Sequence, residues 1–335
     1  MNKITLRLLG FVVAVLVAAL LLIESGEDGG LPDAGSLLFP DMRAVANDID
    51  RVVVVRTGDS ISIEKRGGGW VVPDRGGYEA DVAKVIEVLL AMTEAAVVEP
   101  KTANPDLHGR LGVDTPDTGT SKGTTVLAIA GDSRFELIFG NAVQQNFRYA
   151  RIAGDNQSWL IDQNPEIPAE PGDWLNTNII DIDSNHIRSA TIEHPDGEVI
   201  SISKDAEADV NFTVADIPAG RELSYSTVAN GIGGALNDLN LDDVRERSVM
   251  TDAVQTRFET FDNVGIDVAL SRDDEGAWIS IDLSLPSEGN EEATDEWSAT
   301  QARVNGWTYR IADYKANLLA RRWDDILKAE SADEE

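Results

Sequence analysis

The hydrophobic pattern of the chain opens with an apolar run from residue 6 to residue 23, which predicts a membrane-spanning helix. A helix rises about 1.5 Å per residue, so a run of this length approaches the roughly 30 Å hydrocarbon core of a bilayer. Lys3 and Arg7 lie at its start, whereas an acidic stretch begins at Glu24. By the positive-inside bias, we expect a cytoplasmic N-terminus and an exported C-terminal domain.

A cleaved secretory signal is the alternative to an anchor that stays in the membrane. No clear Ala-x-Ala site follows the apolar run, and the acidic sequence from Glu24 to Asp28 is a poor cleavage region. We therefore expect residues 1–24 to form an uncleaved, single-pass anchor. The segment 25–44 begins with Gly, Asp and Glu residues and predicts a flexible tether.

Beyond the tether, short β-rich runs separated by turns precede an amphipathic helix and then further strands. Asp81 is suited to cap the helix at its N-terminus. The apolar residues that recur at helical spacing on one face of this helix are Val82, Val85, Ile86, Leu89 and Leu90. The predicted strands of this half are Arg51–Arg56, Ser60–Lys65, Gly69–Val72, Thr124–Ala130, Arg134–Phe139, Phe147–Ile152 and Ser158–Ile161.

The second half repeats this order, with a helix predicted over Thr227–Leu239. Trp159 and Trp174 match Trp307 and Trp323 in order, and in separation to within one residue. These features predict an internal repeat of one structural unit. The predicted strands of the second half are Ala190–His194, Glu198–Lys204, Asn211–Val214, Gln255–Thr260, Ile266–Ser271, Ala277–Leu283 and Gly306–Ile311.

Strands that arrive in runs, rather than alternating singly with helices, are typical of antiparallel sheets. We therefore predict an α+β fold with two related modules of mostly antiparallel sheet and packed helices. The first module is expected over residues 45–182, the second over residues 183–329, and an acidic tail over residues 330–335.

The composition limits the chemistry that is open to this protein. The 335 residues include 42% hydrophobic residues, enough for packed cores, and no cysteine. The absence of cysteine excludes disulfides, thiolate zinc sites, iron–sulfur clusters and cysteine nucleophiles. An exported chain of this kind fits a protein of the bacterial inner membrane with a periplasmic domain.

The formal net charge of −31 disfavours anionic binding partners. A surface this acidic repels phosphate backbones and anionic headgroups, so we expect no nucleic-acid binding. A basic partner or a cation-rich ligand is the functional interpretation of the charge, and surface solvation is the alternative that we favour. Ser287–Glu296 and the tail are expected to be solvated, mobile segments.

Several short motifs of the first half resemble a known family. They include Gly69-Trp-Val-Val, the stretch Leu111-Gly-Val-Asp-Thr-Pro116, the Phe139-Gly140 turn, and Tyr149-Ala-Arg before Trp159-Leu-Ile-Asp. Together they resemble the exported domain of unknown function 4340. Within this stretch, Gly112-Val-Asp-Thr-Pro116 has one residue fewer between Asp and Pro than the family's Gly-Leu-Asp-x-x-Pro signature and has Val in place of Leu. The resemblance covers roughly residues 45 to 180 and extends more weakly into the second half.

The resemblance implies a role beside ABC-type transporters of the gliding-motility-associated kind, as an auxiliary membrane-tethered subunit. The expected partners are therefore an ABC permease and its ATPase, together with the inner membrane through residues 6–23. No catalytic residues are carried over from the family.

The three histidines give no metal-site spacing. His186 and His194 flank a predicted strand and could each meet an acid in the fold, whereas His108 lies in a predicted loop region. We expect these histidines in loops or at strand edges, without a metal. Asp181-Ile-Asp-Ser-Asn185 opens like a calcium loop but places His186 where Gly is needed, so we predict a helix cap or a turn between the modules.

Two glycine-rich stretches lack the order that phosphate binding requires. Gly231–Gly234 lies inside a helical pattern, which favours close packing between helix and sheet. Gly119–Thr125 is expected to be an exposed loop. The adjacent acids Asp242-Asp243, Asp273-Asp274 and Asp324-Asp325 are expected to be solvated rather than acid–base couples.

The seven tryptophans could stack on sugars, but most stand in strand or amphipathic contexts that predict core positions. Trp297, in an acidic stretch, is the one expected to be exposed.

From these motifs together, we expect no catalytic, cofactor-binding or metal-binding residues. The leading hypothesis is a non-enzymatic, membrane-tethered periplasmic auxiliary subunit of an ABC-type transport or envelope system. The alternative is a periplasmic binding module for an envelope glycan or peptide that acts without a transporter, and a periplasmic hydrolase is a third class.

Overall fold

The computed structural model describes residues 33–116, 119–144, 146–285 and 291–329, with the backbone alone at 291–294. The anchor expected at residues 6–23 and the tail expected at 330–335 lie outside these residues. Among the helices of the described part, none combines the length and the apolar character that crossing a membrane requires.

The first half of the chain forms a nine-stranded sheet in which every pairing is antiparallel. Its strands are Arg51–Arg56 (β1), Asp59–Arg66 (β2), Gly69–Val72 (β3), Tyr78–Glu79 (β4), Val97–Pro100 (β5), Thr124–Ala130 (β6), Ser133–Gln144 (β7), Phe147–Ile152 (β8) and Ser158–Ile161 (β9). Their order across the sheet is β4-β3-β2-β1-β6-β7-β8-β9-β5.

The second half forms another nine-stranded antiparallel sheet. Its strands are Asn178–Ile180 (β10), Ile187–Glu193 (β11), Val199–Ser203 (β12), Thr213–Val214 (β13), Leu239–Glu246 (β14), Val254–Thr260 (β15), Gly265–Asp273 (β16), Gly276–Ser284 (β17) and Trp307–Ile311 (β18). Their order is β10-β14-β18-β17-β16-β15-β11-β12-β13.

The two sheets share one strand order. The order β3-β2-β1-β6-β7-β8-β9-β5 in the first sheet corresponds, strand by strand, to β13-β12-β11-β15-β16-β17-β18-β14 in the second. Trp159 on β9 and Trp307 on β18 lie on corresponding strands. The shared order over eight strands matches the repeat that the sequence predicts, and the α+β class with antiparallel sheets is confirmed.

Helices are few and mostly short in the described residues. They are Met42–Val45 (α1), Val82–Thr93 (α2), His108–Leu111 (α3), Asn230–Gly233 (α4), Glu291–Val304 (α5), Asp313–Leu319 (α6) and Trp323–Ile326 (α7). The acidic stretch expected to be mobile is helical from Glu291. The C-terminal part of the described chain forms two short helices, α6 and α7.

The helix predicted over Thr227–Leu239 is wrong, because only the four residues of α4 are helical there. Three glycines in this stretch weaken a helix by roughly 1 kcal/mol each. At Gly233 a Cβ atom would lie 2.2 Å from the ring of Phe212, so the backbone approaches that ring as closely as only glycine allows. Leu239 begins strand β14 instead, with buried and exposed residues that alternate at its start.

The two sheets meet where β4 packs against β18, and their buried apolar residues form one contiguous core. The Tyr78 ring lies edge-on to Trp307, with centroids 5.1 Å apart, and to Tyr309, with centroids 6.0 Å apart. Arg75 Nε lies 2.6 Å from Asp243 Oδ1 beside them, and both side chains are partly buried. An aromatic cluster flanked by a shielded ion pair therefore joins the modules.

Replacing Gly76 with Ala should loosen this junction. Gly76 has φ +67°, and an added Cβ atom would lie 3.2 Å from both Trp307 Cζ3 and Glu246 Cγ. Gly67 has a similar φ of +60° but nothing within 4 Å, so Gly67→Ala is the matched control. Left-handed backbone strain costs about 1–2 kcal/mol in both variants, and the crowding adds about 1 kcal/mol or more only in Gly76→Ala. Urea unfolding measures the difference, and equal losses in the two variants would contradict the packing described here.

The junction should also weaken at alkaline pH. Burial raises the pKa of Tyr78 to about 12 and raises that of Tyr309 as well. Tyrosines in the unfolded chain have a pKa near 10, so they ionise at a lower pH than these two tyrosines in the folded protein. Ionisation therefore stabilises the unfolded state relative to the folded state as the pH rises. The free energy of unfolding should therefore hold below pH 10 and fall as the pH rises towards 12. A Tyr78→Phe/Tyr309→Phe variant should show a smaller decline in urea unfolding, and a decline equal to that of the parent would contradict the assignment.

Candidate functional site

The three histidines lie in separate parts of the fold. His108 is buried and its Nε2 lies 2.8 Å from the Asn156 carbonyl oxygen, whereas buried His194 places Nε2 3.1 Å from the Arg321 carbonyl oxygen. His186, at the other end of β11 from His194, is exposed and lies 3.1 Å from Glu207. Within the described residues, no three His, Asp or Glu side chains come together as a metal site would require.

The stretch that resembles a calcium loop is a turn beside β10 and β11. Asp181 Oδ1 accepts hydrogen bonds from Asn237 Nδ2 and from the backbone N–H of Asp238. Asp183 Oδ1 accepts one from the backbone N–H of Asn185. These carboxylates hold a turn between β10 and β11, which both belong to the second sheet, so the turn lies within the second module and the prediction of a turn between the modules is wrong.

The adjacent acids have local structural contacts. Asp243 pairs with Arg75, Asp273 Oδ1 accepts a hydrogen bond from Trp278 Nε1 at 2.9 Å, and Asp325 Oδ2 accepts one from the Arg322 backbone N–H. None of the three pairs shares a site with another. Their contacts account for one member of each pair without any catalytic role.

The tryptophans occupy the core, with one difference from the prediction. Trp70, Trp159, Trp174 and Trp278 are buried. Trp297, which was expected to be exposed in a loop, is half-buried on α5 and packs against the core. The prediction failed because α5 was not recognised, and the helix turns this ring inward.

Trp297 also lines a cavity of about 410 Å³ between α5 and the segment around β10. Thr300 and Arg303 lie beside it on α5, and Ile180 and Asp181 face them. Arg303 donates to the Asn178 carbonyl oxygen at 2.8 Å, which holds one wall in place. The cavity combines an aromatic ring with groups that can form hydrogen bonds.

The Leu111–Pro116 stretch leaves the end of α3 as a partly buried loop that contacts the side chain of Arg151. Arg151 Nε donates to the Val113 carbonyl oxygen at 2.8 Å, and the two terminal nitrogens donate to the Asp155 carbonyl oxygen and to Thr115 Oγ1. At Gly140 a Cβ atom would lie 2.4 Å from the Leu111 carbonyl oxygen. The motifs around these residues therefore fix the fold of the first module.

Helix α2 is the long helix of the first module, and Asp81 caps it as predicted. Asp81 Oδ1 accepts hydrogen bonds from the backbone N–H groups of Ala83 and Lys84. Val85, Val88 and Met92 are buried in the core. These residues hold the helix against the sheet.

Three apolar residues of α2 point away from that core. Val82, Ile86 and Leu90 are 41%, 47% and 51% exposed, respectively. They follow one another at a spacing of four residues and therefore form one row along the helix, which we call the α2 stripe. The prediction grouped all three on one apolar face with Val85 and Leu89, but the structure buries Val85 and leaves these three exposed.

A groove runs along the flank of α2, beside the stripe. One cavity of about 470 Å³ is lined by Glu87, Leu90 and Ala91 from the helix, by Glu94 at its C-cap, and by Asp162–Pro165 opposite. A second, of about 450 Å³, continues past Glu87. It is lined by Lys84, Glu87, Glu166, Ile167, Pro168, Ala169 and Asp173. We call the two cavities together the α2 groove.

Acidic side chains outnumber basic ones in the walls of the α2 groove. Five carboxylates line it, whereas its one cation, Lys84, donates to the Asp173 carbonyl oxygen at 2.7 Å. Glu87 Oε1 accepts a hydrogen bond from the Glu166 backbone N–H at 3.2 Å. The carboxylates lining the groove are Glu87, Glu94, Asp162, Glu166 and Asp173.

The chain enters the first module at the C-terminal end of α2. The Leu38 backbone N–H donates to the Ala95 carbonyl oxygen at 2.9 Å, and the Gly35 N–H donates to the Val97 carbonyl oxygen at 2.8 Å. The N-terminal segment therefore runs beside the residues that follow α2. Leu90 and Glu94, at the end of the stripe and the groove, lie on this side of the module.

The comparisons with known proteins give one result. The family model described as "Domain of unknown function (DUF4340)" matches residues 70–263, more than half of the chain. The match begins in β3 and ends after β15, so it includes strands of both sheets. No curated protein and no solved structure matches this chain.

Replacing Arg151 with Ala should destabilise the first module. The variant leaves the carbonyl oxygens of Val113 and Asp155 without their charged donor, which costs about 3 kcal/mol or more. The exposed Arg134 on β7 provides the control, because Arg134→Ala removes the same charge from the surface. Urea unfolding should show a large loss for Arg151→Ala and a change within about 0.5 kcal/mol for Arg134→Ala. Equal stabilities would contradict the role given to Arg151.

Proposed function

This chain belongs to the DUF4340 family, and we propose that it is a non-enzymatic, membrane-tethered periplasmic auxiliary subunit of an ABC-type transport or envelope system. In this role, a permease and its ATPase perform transport, and this chain supplies a docking platform. The observation that carries the proposal is the α2 stripe.

An exposed apolar row on a helix is typical of a surface that a partner covers. Scattered exposed apolar residues need no explanation, but Val82, Ile86 and Leu90 are contiguous and flank a groove. Covering them removes apolar area from water, which favours association by about 25 cal/mol per Å² before the costs of binding. The stripe therefore supports a protein-binding role.

The position of the stripe supports a partner in the membrane. The described chain enters the first module beside the C-terminal end of α2. An anchor at residues 6–23, followed by a short tether, would keep this end of the module facing the bilayer. A permease in the same membrane would then lie within reach of the α2 stripe.

A pull-down from native membranes in mild detergent tests the proposal. The tagged full-length protein should recover a polytopic permease and its ATPase, identified by mass spectrometry. An Ile86→Ser/Leu90→Ser variant should recover at least about tenfold less, because polar residues remove the apolar contact. The control is Val210→Ser/Val249→Ser, which changes two residues of the second module that are 78% and 93% exposed.

Recovery of neither protein by the parent, under conditions that keep a known transporter complex intact, would overturn the proposal. The alternative is a periplasmic binding module for an envelope glycan or peptide that acts without a transporter. The cavity beside Trp297 supports that alternative, because an aromatic ring and hydrogen-bonding side chains are what sugar binding uses.

A further inference from the structure

The shape of the α2 stripe fits a helix better than a small molecule. Val82 and Leu90 are eight residues apart, so the row is roughly 12 Å long at 1.5 Å per residue. It is convex, because it lies on the outer face of a helix, whereas small-molecule sites are concave. A partner helix covers such a row with apolar residues spaced three or four positions apart.

The charge beside the stripe restricts the partner further. Glu87 on α2, Glu94 at its C-cap, and Glu166 opposite present carboxylates along the groove. Within the described part of the chain, Glu94 makes no ion pair. Lysine or arginine side chains of a partner helix would neutralise these carboxylates, whereas an acidic segment would be repelled.

The same charge argues against two other occupants. In a two-fold dimer with antiparallel α2 helices, the stripe of one copy would face the stripe of the other, and the acidic edges of the two copies would lie on the same side of the interface. A surface of anionic lipid headgroups would place like charges against the same carboxylates. A cationic protein segment is the occupant that both the apolar row and its acidic edge favour.

We infer that the α2 stripe and the α2 groove together bind a cationic amphipathic helix of the partner, with its apolar face on Val82, Ile86 and Leu90 and its Lys or Arg side chains on Glu87 and Glu94. This inference rests on the proposed function for the partner's location, and it specifies the partner's chemistry.

Two synthetic peptides test the inference. Both are helical, equal in length and labelled with a fluorophore; one combines Leu with Lys, and the other combines Leu with Glu. Fluorescence anisotropy measures their binding to the full-length protein in nanodiscs of zwitterionic lipid. The Lys peptide should bind at least about tenfold more tightly than the Glu peptide, and its binding should weaken as the salt concentration rises.

Two charge variants distinguish binding of the Lys peptide at the α2 groove from its nonspecific attraction to an acidic protein. Glu87→Gln/Glu94→Gln removes two charges from the groove and keeps an oxygen at position 87 that can accept the Glu166 N–H. Glu193→Gln/Glu259→Gln removes two exposed charges from the second module. The groove variant should weaken binding of the Lys peptide about fivefold or more, and the control should leave it unchanged.

Equal weakening by the two charge variants, or equal binding of the two peptides, would overturn the inference. The pull-down and the peptide measurement together distinguish failure of the proposed docking role from failure of the proposed cationic partner. If Ile86→Ser/Leu90→Ser loses the permease while peptide charge has no effect, the docking role stands and the cationic partner is wrong. If the parent recovers no permease while the Lys peptide binds at the groove, the surface chemistry stands and the transporter association is wrong.

Discussion

The aromatic contact between the sheets is the interaction on which the described structure depends most. Tyr78 is on the edge strand β4, and its ring packs against Trp307 and Tyr309 on β18. Without this contact, each sheet would expose apolar surface where the two now share one core. Arg75 and Asp243 close one side of the junction with a partly buried ion pair. The two halves can therefore act as one rigid support for whatever the first module binds.

The two modules share their strands but not their helices. The same eight-strand order occurs in both sheets, yet the twelve residues of α2 correspond to only four residues of α4. Gly233 lies so close to Phe212 that a side chain there would collide with the ring. An exposed apolar row on a long helix is therefore a feature of the first module. We interpret this asymmetry as a difference in role, in which the first module binds the partner and the second module supports the first.

Much of the fold could be predicted from the sequence because strands leave a strong local signal. The boundaries of β1, β6 and β8 agree with the predictions, since short runs of β-branched and apolar residues end at recognisable turns. The two-residue strand β4 was missed because it has no pattern of its own and exists through its neighbours. Strand β14 was missed because its first apolar residue, Leu239, continues the helical spacing that precedes it.

The candidate site was harder to predict for a physical reason. Apolar residues cover most of the circumference of α2, and periodicity cannot tell which part faces the sheet when two rows are apolar. Val85 is buried, whereas Val82 and Ile86 are exposed, although the prediction placed all three on one face. The groove depends on residues such as Asp162 and Glu166, which are far from α2 in sequence. Only the fold brings them beside it.

Photo-crosslinking in native membranes is the measurement that tests the central claim most directly. A photoreactive residue at position 86 samples the α2 stripe, and one at position 249, where Val249 is almost fully exposed, samples a surface without a proposed partner. The account predicts a crosslink from position 86 to a basic segment of a polytopic permease, and no such product from position 249. The same products from both positions, or none from position 86, would contradict it.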